Sequence, residues 1–394
     1  MSGGRAASGR AAAVRAAAAF RAVHGTGCEG VWAAPGRVNL IGEYTDFNDG
    51  FVMPLALPRV TRVAARARAD GRLRLHSADM PGGVVTVSPD EPPPGAVRGW
   101  AAYPAGVLWA LREAGHAVAG ADLHVESEVP VGAGLSSSAA LEIATALALD
   151  GLYGLGLARP ELARLARRAE NVFAGVPCGI MDQTASACCV AGHVLHLDTR
   201  DLTRRHIPFD PAAHGLRLLV VDTRVKHDLG EGEYARRRAG CEAAARALGV
   251  RALRDVPYEE LDDAVREVRS VAGAGALVRH VVSENERVRA VAALLDAGDP
   301  RAVGPLLTAG HASLRDDFAV SCPELDLVVA AATGAGAPGA RMTGGGFGGS
   351  ALVLTDEAAA GTVERAVTEA FAAAGYAAPR VFTATAGEGA RREL

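Results

Sequence analysis

Lysine is almost absent from this chain. Lys226 is the single lysine, and arginine supplies the rest of the 41 basic residues. A P-loop nucleotide-binding protein needs the pattern GxxxxGK[ST], and a protein kinase needs a lysine on a strand of its N-terminal lobe. Lys226 follows neither pattern. Both phosphate-binding architectures are therefore excluded.

Long apolar runs and an excess of charge are missing as well. No stretch approaches the roughly 18 apolar residues of a membrane-spanning helix, so we expect no membrane partner. The formal charge is −4, and no long basic run is present to follow a nucleic-acid backbone, so we expect no nucleic-acid partner. Arginines interrupt the Ala-rich N-terminus, which leaves no apolar core of signal-peptide length. These absences favour a cytoplasmic protein, and the six cysteines, without paired spacings, are predicted to be reduced.

The length predicts two lobes. At 394 residues the chain exceeds what one hydrophobic core usually organises, so a cleft between two lobes is the expected site. Short strand patterns dominate the first half up to Pro130, and helical patterns follow. We place the boundary at residue 198, which gives an N-terminal lobe over 1–198 and a C-terminal lobe over 199–394. The predicted fold class is α+β, with mixed sheets covered by helices.

A glycine- and serine-rich segment, PVGAGLSSSAALEIATALAL, begins at Pro130 and opens a predicted helix. Unpaired backbone N–H groups and the positive end of the macrodipole make a helix start an anion site, and glycines let a phosphate approach the backbone. The serine hydroxyls can bind phosphate oxygens or Mg²⁺. A loop with serine N-caps explains the same pattern, and the two interpretations stay open. The residues concerned are Gly132, Ala133, Gly134, Leu135, Ser136, Ser137 and Ser138.

A second glycine-rich segment, RMTGGGFGGSALVLT, places five glycines between Gly344 and Gly349 with Phe347 among them. Such density costs conformational entropy and offers no packing. The alternative is a flexible linker, but the segment is short and lies between apolar elements. We therefore expect the backbone here to approach a ligand or another backbone closely.

Charged residues stand in two otherwise apolar segments. APGRVNLIGEYTDFNDGF holds Arg37, Glu43 and Asp46, which either contact a ligand or form an internal arginine–carboxylate pair. In PCGIMDQTASACC, Asp182 follows small and apolar residues, so it is either a general base or an N-cap. Glu170 has alanine at i+4, and it is either functional or a solvated helix acid.

Taken together, these segments resemble the motifs of the GHMP small-molecule kinases. GRVNLIGEYTDFNDGF is similar to the signature of the galactokinases within that family, and CGIMDQ, GEYARRRAGCE and GHASLRDDFAVSCPELD extend the resemblance. It covers nearly the whole chain from about Trp32 to Gly349. The residues alone indicate a phosphate-binding enzyme, and the sugar and the reaction come from the resemblance.

The resemblance implies a role for each residue of the site. Asp182 would be the base near the C1 hydroxyl of galactose, with Arg37 and Lys226 close by, and ATP and Mg²⁺ would be the cofactors. Trp100 would border the adenine of ATP, and the loop from Gly132 to Ser138 would hold its phosphates. Mg²⁺ would be bound by Ser138 and Glu170, and galactose by Glu43, Tyr44, Asp46, Gly179 and Tyr234.

The implied reaction is direct in-line transfer of the γ-phosphoryl group of ATP to galactose, without a phosphoenzyme. One departure affects the sugar site: Tyr44 stands where the signature usually has histidine, which leaves the surroundings of C6 open. Kinases for N-acetylgalactosamine, mevalonate or homoserine share the same loops. Galactokinase-like proteins can also act as galactose sensors without turnover, although the intact SSSAA run and Asp182 disfavour that role.

Overall fold

A computed structural model describes residues 2–88, 93–225 and 230–394. Within those ranges the helices are α1 (Ser2–His24), α2 (Ala102–Glu113), α3 (Ser137–Tyr153), α4 (Arg159–Arg168), α5 (Met181–Cys188), α6 (Gly230–Ala247), α7 (Leu261–Glu267), α8 (Ala274–Asp296), α9 (Gly304–Asp316), α10 (Pro323–Gly334) and α11 (Ala360–Ala373). The strands are β1 (Gly30–Asn39), β2 (Phe51–Val52), β3 (Pro54–Arg68), β4 (Leu73–Ser77), β5 (Val85–Val87), β6 (Gly120–Ser127), β7 (His193–Asp198), β8 (Arg204–Pro208), β9 (Leu216–Asp222), β10 (Gly339–Thr343), β11 (Ser350–Asp356), β12 (Arg380–Ala384) and β13 (Arg391–Arg392). The predicted α+β class is confirmed.

Three sheets organise the described chain. A six-stranded mixed sheet has the order β13-β1-β3-β6-β4-β5, and its β4 and β6 run parallel. A four-stranded antiparallel sheet has the order β10-β11-β9-β12, and a three-stranded one has the order β2-β7-β8. Residue 198, the predicted lobe boundary, ends β7 and lies at the turn of the β7–β8 hairpin.

Helices cover both large sheets. On the six-stranded sheet, apolar residues of α2 and α3 such as Leu111 and Ile143 share a core with Leu123 of β6. Phe20 of α1 packs against the other face beside Val31 and Ala64. The four-stranded sheet has its own core with α8, α10 and α11.

A third core joins the two lobes. Leu40 and Leu57 from the six-stranded side pack with Leu218 and Leu352 of the four-stranded sheet, and Leu135 of the glycine-serine segment belongs to the same cluster. The segments that carry chemistry therefore start from a buried junction. None of the described helices combines the length and the apolar character needed to cross a bilayer.

Candidate active site

The site forms where the two glycine-rich segments and the end of β1 meet. The pairing of β1 with β3 shifts register between Pro35 and Arg37, and such a bulge redirects the side chains that follow it. Gly36 is needed there, because a β-carbon at this position would stand 2.6 Å from the carbonyl oxygen of Leu135. A β-carbon on Gly344 would likewise stand 2.7 Å from the carbonyl oxygen of Gly134. The close backbone approach predicted for the second glycine-rich segment is present.

Arg37 and Asp182 form the centre of this junction. The Arg37 Nε donates to Asp182 Oδ1 at 2.8 Å, and Nη2 donates to Oδ2 at 2.9 Å. The third nitrogen, Nη1, donates to the carbonyl oxygen of Gly134 at 2.7 Å. The Arg37 side chain is 5% exposed, whereas that of Asp182 is 26% exposed. The arginine is therefore an internal support, and the carboxylate that it orients faces open space.

The predicted phosphate loop has the backbone that an anion site needs. Gly132 and Gly134 have φ of 77° and 72°, and Ser136 has φ of 59° directly before α3 begins. Ser350 donates to the Ala133 carbonyl oxygen at 2.7 Å, which fixes the loop from the far side. The Ser136 hydroxyl donates to Asp182 Oδ2, so this serine joins the loop to the carboxylate. The unpaired N–H groups of the first turn of α3 directly follow Ser136.

Glu170 lies on a π-helical turn, Ala169–Ala174, that follows α4. Such turns insert an extra residue and are frequent at functional sites. Burial raises the pKa of Glu170, the charge of Asp182 raises it further, and a hydrogen bond from Ser138 opposes the shift. The structure thus brings Ser138, Glu170 and Asp182 together, and their roles stay a prediction.

Three side chains around Glu170 are absent from the sequence prediction. Gln183 Nε2 donates to Glu170 Oε2 at 2.5 Å and to Glu142 Oε2 at 3.2 Å, and the Cys178 thiol donates to Glu170 at 3.4 Å. Glu142 is fully buried, and burial raises its pKa well above the ordinary value. Cys178 and Gln183 belong to the CGIMDQ segment, so the sequence offered a signal for these two residues. It offered no signal for Glu142, because one acid in an apolar helix also fits a solvated position.

The residues at Glu170 fit a magnesium ion. Mg²⁺ in phosphoryl-transfer enzymes takes one or two protein oxygens, with substrate phosphates and waters completing its shell. Ser138 and Glu170 provide a hydroxyl and a carboxylate in hydrogen-bond contact, and Asp182 lies near enough for its charge to act on Glu170. Across the described residues no group of three or more His, Cys, Asp or Glu is arranged to hold a metal.

Asp46 and Gly179 are in direct contact. Asp46 lies in the 3₁₀ turn Asp46–Asn48, and its carboxylate accepts backbone hydrogen bonds from Met181 and Phe47. Burial raises the pKa of Asp46 to about 6, and the charge of Asp182 acts in the same direction. The carboxylates of Asp46 and Asp182 therefore lie in one small region. A polar ligand with several hydroxyls could donate hydrogen bonds to both.

An aromatic group lines the same region. Tyr44 has its ring centroid 5.7 Å from Tyr234, 6.1 Å from Phe47 and 4.7 Å from Phe318. The Tyr44 hydroxyl donates to the Gly345 carbonyl oxygen at 2.5 Å, so it ties this group to the second glycine-rich segment. The Tyr234 hydroxyl is buried and has no hydrogen-bond partner, and Asp46 is among the charges that act on it. A ligand hydroxyl would satisfy that atom.

Glu43 lies behind this region in a buried ionic network. One oxygen accepts from Arg341, the other accepts from the Gly344 N–H at 3.1 Å, and the residue is 1% exposed. Arg341 also donates to Glu284 at 2.9 Å. Burial raises the pKa of Glu43 to about 7, although Arg341 opposes the shift. Glu43 thus connects β1 to the second glycine-rich segment, and its predicted contact with galactose stays a prediction.

Two predicted residues remain, Trp100 and Lys226. Trp100 is in the 3₁₀ turn Gly99–Ala101 and packs against the core of the six-stranded sheet. Its place beside adenine stays a prediction. Lys226 lies outside the described residues.

Three parts of the chain are similar to known protein families. Three family models match the chain: the galactokinase galactose-binding signature over residues 18–67, the GHMP kinases N terminal domain over 102–190, and GHMP kinases C terminal over 290–373. The first includes Asp46, and the second includes Ser138, Glu170 and Asp182.

Whole-chain relatives agree with the family models. A galactokinase of Streptomyces coelicolor is 63% identical over 373 residues, which cover 95% of this chain and 96% of the relative. A galactokinase of Mycobacterium tuberculosis is 45% identical, with 91% and 98% covered. The crystal structure of Lactococcus lactis galactokinase complexed with galactose superimposes with a TM-score of 0.90 at 32% identity, covering 96% of this chain and 98% of that one. Methanococcus jannaschii mevalonate kinase, at 18% identity and a TM-score of 0.61, shares the fold.

Proposed function

The chain belongs to the galactokinase family of the GHMP kinases and is a kinase, and from that premise we propose that it transfers the γ-phosphoryl group of ATP to the C1 hydroxyl of galactose. The observation that supports this most is the forked pair of Arg37 and Asp182 beside the phosphate loop. The partly exposed Asp182 carboxylate is joined to the loop from Gly132 to Ser138, which we propose binds ATP, and its charge acts on Asp46.

Asp182 is proposed as the general base. Its two oxygens accept from Arg37 and Ser136, and a carboxylate retains further lone pairs for a substrate hydroxyl. It would accept the proton from the C1 hydroxyl as the oxygen bonds to phosphorus. Proton acceptance of this kind contributes roughly 10²–10⁴ in rate.

Arg37 and the start of α3 would provide positioning and charge compensation. The transition state for phosphoryl transfer spreads negative charge over the equatorial oxygens, so catalysis depends on fixed donors near them. The loop from Gly132 to Ser138 offers backbone N–H groups, and Arg37 holds both the loop and Asp182. Ser138 and Glu170 would hold Mg²⁺, which neutralises phosphate charge when bound.

The sugar would occupy the region between Asp46 and Tyr234. Asp46 presents a carboxylate, and Tyr234 presents a hydroxyl without a partner. Together they suit a ligand with hydroxyls that both donate and accept. Gly179 leaves room for the Asp46 carboxylate, which is the structural reason for a glycine at this position.

The test is an assay of ADP release over a sugar panel, followed by phosphorus-31 NMR of the product. We expect galactose to be the preferred acceptor, with the product phosphate coupled to the anomeric proton. A preference for N-acetylgalactosamine would replace the proposed substrate. Galactose binding without ADP release would instead indicate a sensor.

A further inference from the structure

Arginines from the C-terminal half of the chain hold the outside of the loop that carries Asp46. Arg254 donates through Nη1 to the backbone carbonyl oxygen of Asp49 at 2.7 Å. The same guanidinium donates to both carboxylate oxygens of Asp198. It also lies over the Phe51 ring, 4.4 Å from its centroid. One side chain thus connects the loop, the end of β7 and the first residue of β2.

Two further arginines bind the Asp49 carboxylate. Arg200 and Arg251 each approach Asp49 Oδ2 at 3.3 Å, and Arg200 also pairs with Asp255 at 2.7 Å. Asp49 has φ of 57°, a conformation that side chains other than glycine, asparagine and aspartate rarely adopt. We call Arg200, Arg251 and Arg254 the arginine clamp.

The loop has an electrostatic reason to need an external support. Asp46 lies three residues before Asp49, and the charge of Asp182 acts on its carboxylate as a like charge. Repulsion between two carboxylates favours movement of the loop away from Asp182. Hydrogen bonds hold the two ends of the loop. The Gly42 N–H donates to Glu284 Oε1 at 2.9 Å, and the Phe51 N–H donates to Asn285 Oδ1 at 2.8 Å. The clamp contacts the stretch between those ends.

We infer that the arginine clamp positions Asp46 against Gly179 and thereby sets the affinity for galactose. Its arginines are positioning residues that act through Asp49. This inference rests on the proposed assignment of Asp46 to the sugar. The pairs of Arg200 and Arg251 with Asp49 are partly exposed, and such pairs contribute little to the stability of a fold. Arg254 and Asp198 are only 15% and 16% exposed, so their pair is the firmest part of the clamp. We expect the clamp to change sugar binding more than folding.

Arg254→Gln tests the inference, because it removes the charge and the fork and keeps most of the side-chain length. We expect the Kd of galactose, measured by calorimetry on the whole enzyme, to rise about tenfold, the effect of losing one charge-assisted contact. The KM for ATP should stay within about twofold, since the loop from Gly132 to Ser138 does not touch the clamp. Arg254→Lys should give an intermediate Kd, because an ammonium cannot hold Asp198 in a forked pair and contact Asp49 in one geometry.

The matched control is Arg205→Gln. Arg205 on the neighbouring strand β8 forms a more exposed pair with Asp296, in which Nη1 donates at 2.8 Å to each carboxylate oxygen, and neither residue belongs to the loop. It should leave both constants unchanged. An unchanged galactose Kd in Arg254→Gln, or an equal rise in the constants for both substrates, overturns the inference.

A second variant covers the case in which Arg254→Gln does not fold. Asp49→Asn keeps a residue that tolerates positive φ and removes the pairs with Arg200 and Arg251, and it should raise the galactose Kd with the ATP constant unchanged. An unchanged Kd would reject the clamp. If the native enzyme itself does not bind galactose, the proposed function fails instead, so the two failures are distinguishable.

Discussion

The α-carbon of Gly179 lies directly against the carboxylate of Asp46. A β-carbon at 179 would stand 1.5 Å from Asp46 Oδ2, far inside any permitted contact. Gly179→Ala should therefore displace this carboxylate and raise the KM for galactose, and kcat/KM should fall by about 10², the rate cost of a misplacement near 1 Å. The KM for ATP should remain unchanged in steady-state assays with each substrate varied in turn.

Gly334→Ala is the matched control for that substitution. No atom lies within 4 Å of the position where its β-carbon would be, and its φ is not positive. It should leave both KM values as they are. A Gly179→Ala enzyme with native galactose KM would show that Asp46 does not contact the sugar.

Asp46→Ala should narrow the preference for galactose over glucose. We expect Asp46 to accept hydrogen bonds from the C3 and axial C4 hydroxyls of galactose, and glucose leaves that carboxylate partly unpaired. A site built to pair a hydroxyl can reject a mismatched analogue by up to ~10⁴–10⁵. Comparing kcat/KM for both sugars in native and variant enzyme measures the change. An unchanged galactose-to-glucose ratio of kcat/KM would show that Asp46 does not recognise the C4 hydroxyl.

Galactose affinity should fall in mild acid. Burial raises the pKa of Asp46 to about 6, so the carboxylate is ionised above that pH and protonated below it. Protonation removes a charge-assisted acceptor, and the Kd of galactose should rise as pH drops through about 6. Calorimetry at about pH 5 to 8 measures how the Kd of galactose depends on pH. Asp46→Asn should abolish this dependence. An acid limb that persists in Asp46→Asn would instead belong to Glu43, whose pKa burial raises to about 7.

Asp182→Asn should remove turnover and retain binding. The amide keeps the size of the side chain but cannot accept a proton, so kcat should fall by roughly 10²–10⁴. Calorimetry should still detect galactose and ATP, because Asp46 and the loop from Gly132 to Ser138 are unchanged. Lost galactose affinity combined with substantial turnover would make Asp182 a sugar anchor and not the base.

Ser138→Ala and Glu170→Gln should each raise the Mg²⁺ concentration that gives half-maximal ADP release. Ser138→Ala removes the hydroxyl and Glu170→Gln removes the negative charge of the carboxylate, and these are the two groups proposed to bind the ion. Thr145→Val is a suitable control, because Thr145 is a buried hydroxyl on the same helix as Ser138. A native Mg²⁺ titration in either variant would exclude that residue from the metal shell.

Local patterns predicted much of the fold. The short strands expected before Pro130 are β1 to β6, and the helix expected after the glycine- and serine-rich segment is α3, because alternation and helical periodicity reflect which side of an element is buried. The close approach of the second glycine-rich segment to a ligand or another backbone was also predicted from its glycine density, and the partner turned out to be Gly134. The pairing of Arg37 with Asp182 came from the resemblance, because a separation of 145 residues leaves no local trace.

Other parts of the site depend on tertiary context. The π-helical turn that turns Glu170 inward has the same residue types as an ordinary helix end. The bulge after Pro35 depends on pairing with β3. Ser136 was assigned to phosphate from its position in the serine run, and the structure shows its hydroxyl on Asp182. The left-handed conformation of Ser136 decides that orientation, and sequence alone does not show it.

The short strand β13 has a consequence for synthesis on the ribosome. It pairs with the edge of β1, where Trp32 lies opposite Arg392, and Glu393 donates its backbone N–H to the Val31 carbonyl oxygen at 2.8 Å. Because β1 is synthesised well before β13, its outer edge at Trp32 stays uncovered in the meantime. During that interval β1 offers unpaired backbone groups to other nascent chains, and aggregation on the polysome is the risk that this topology carries.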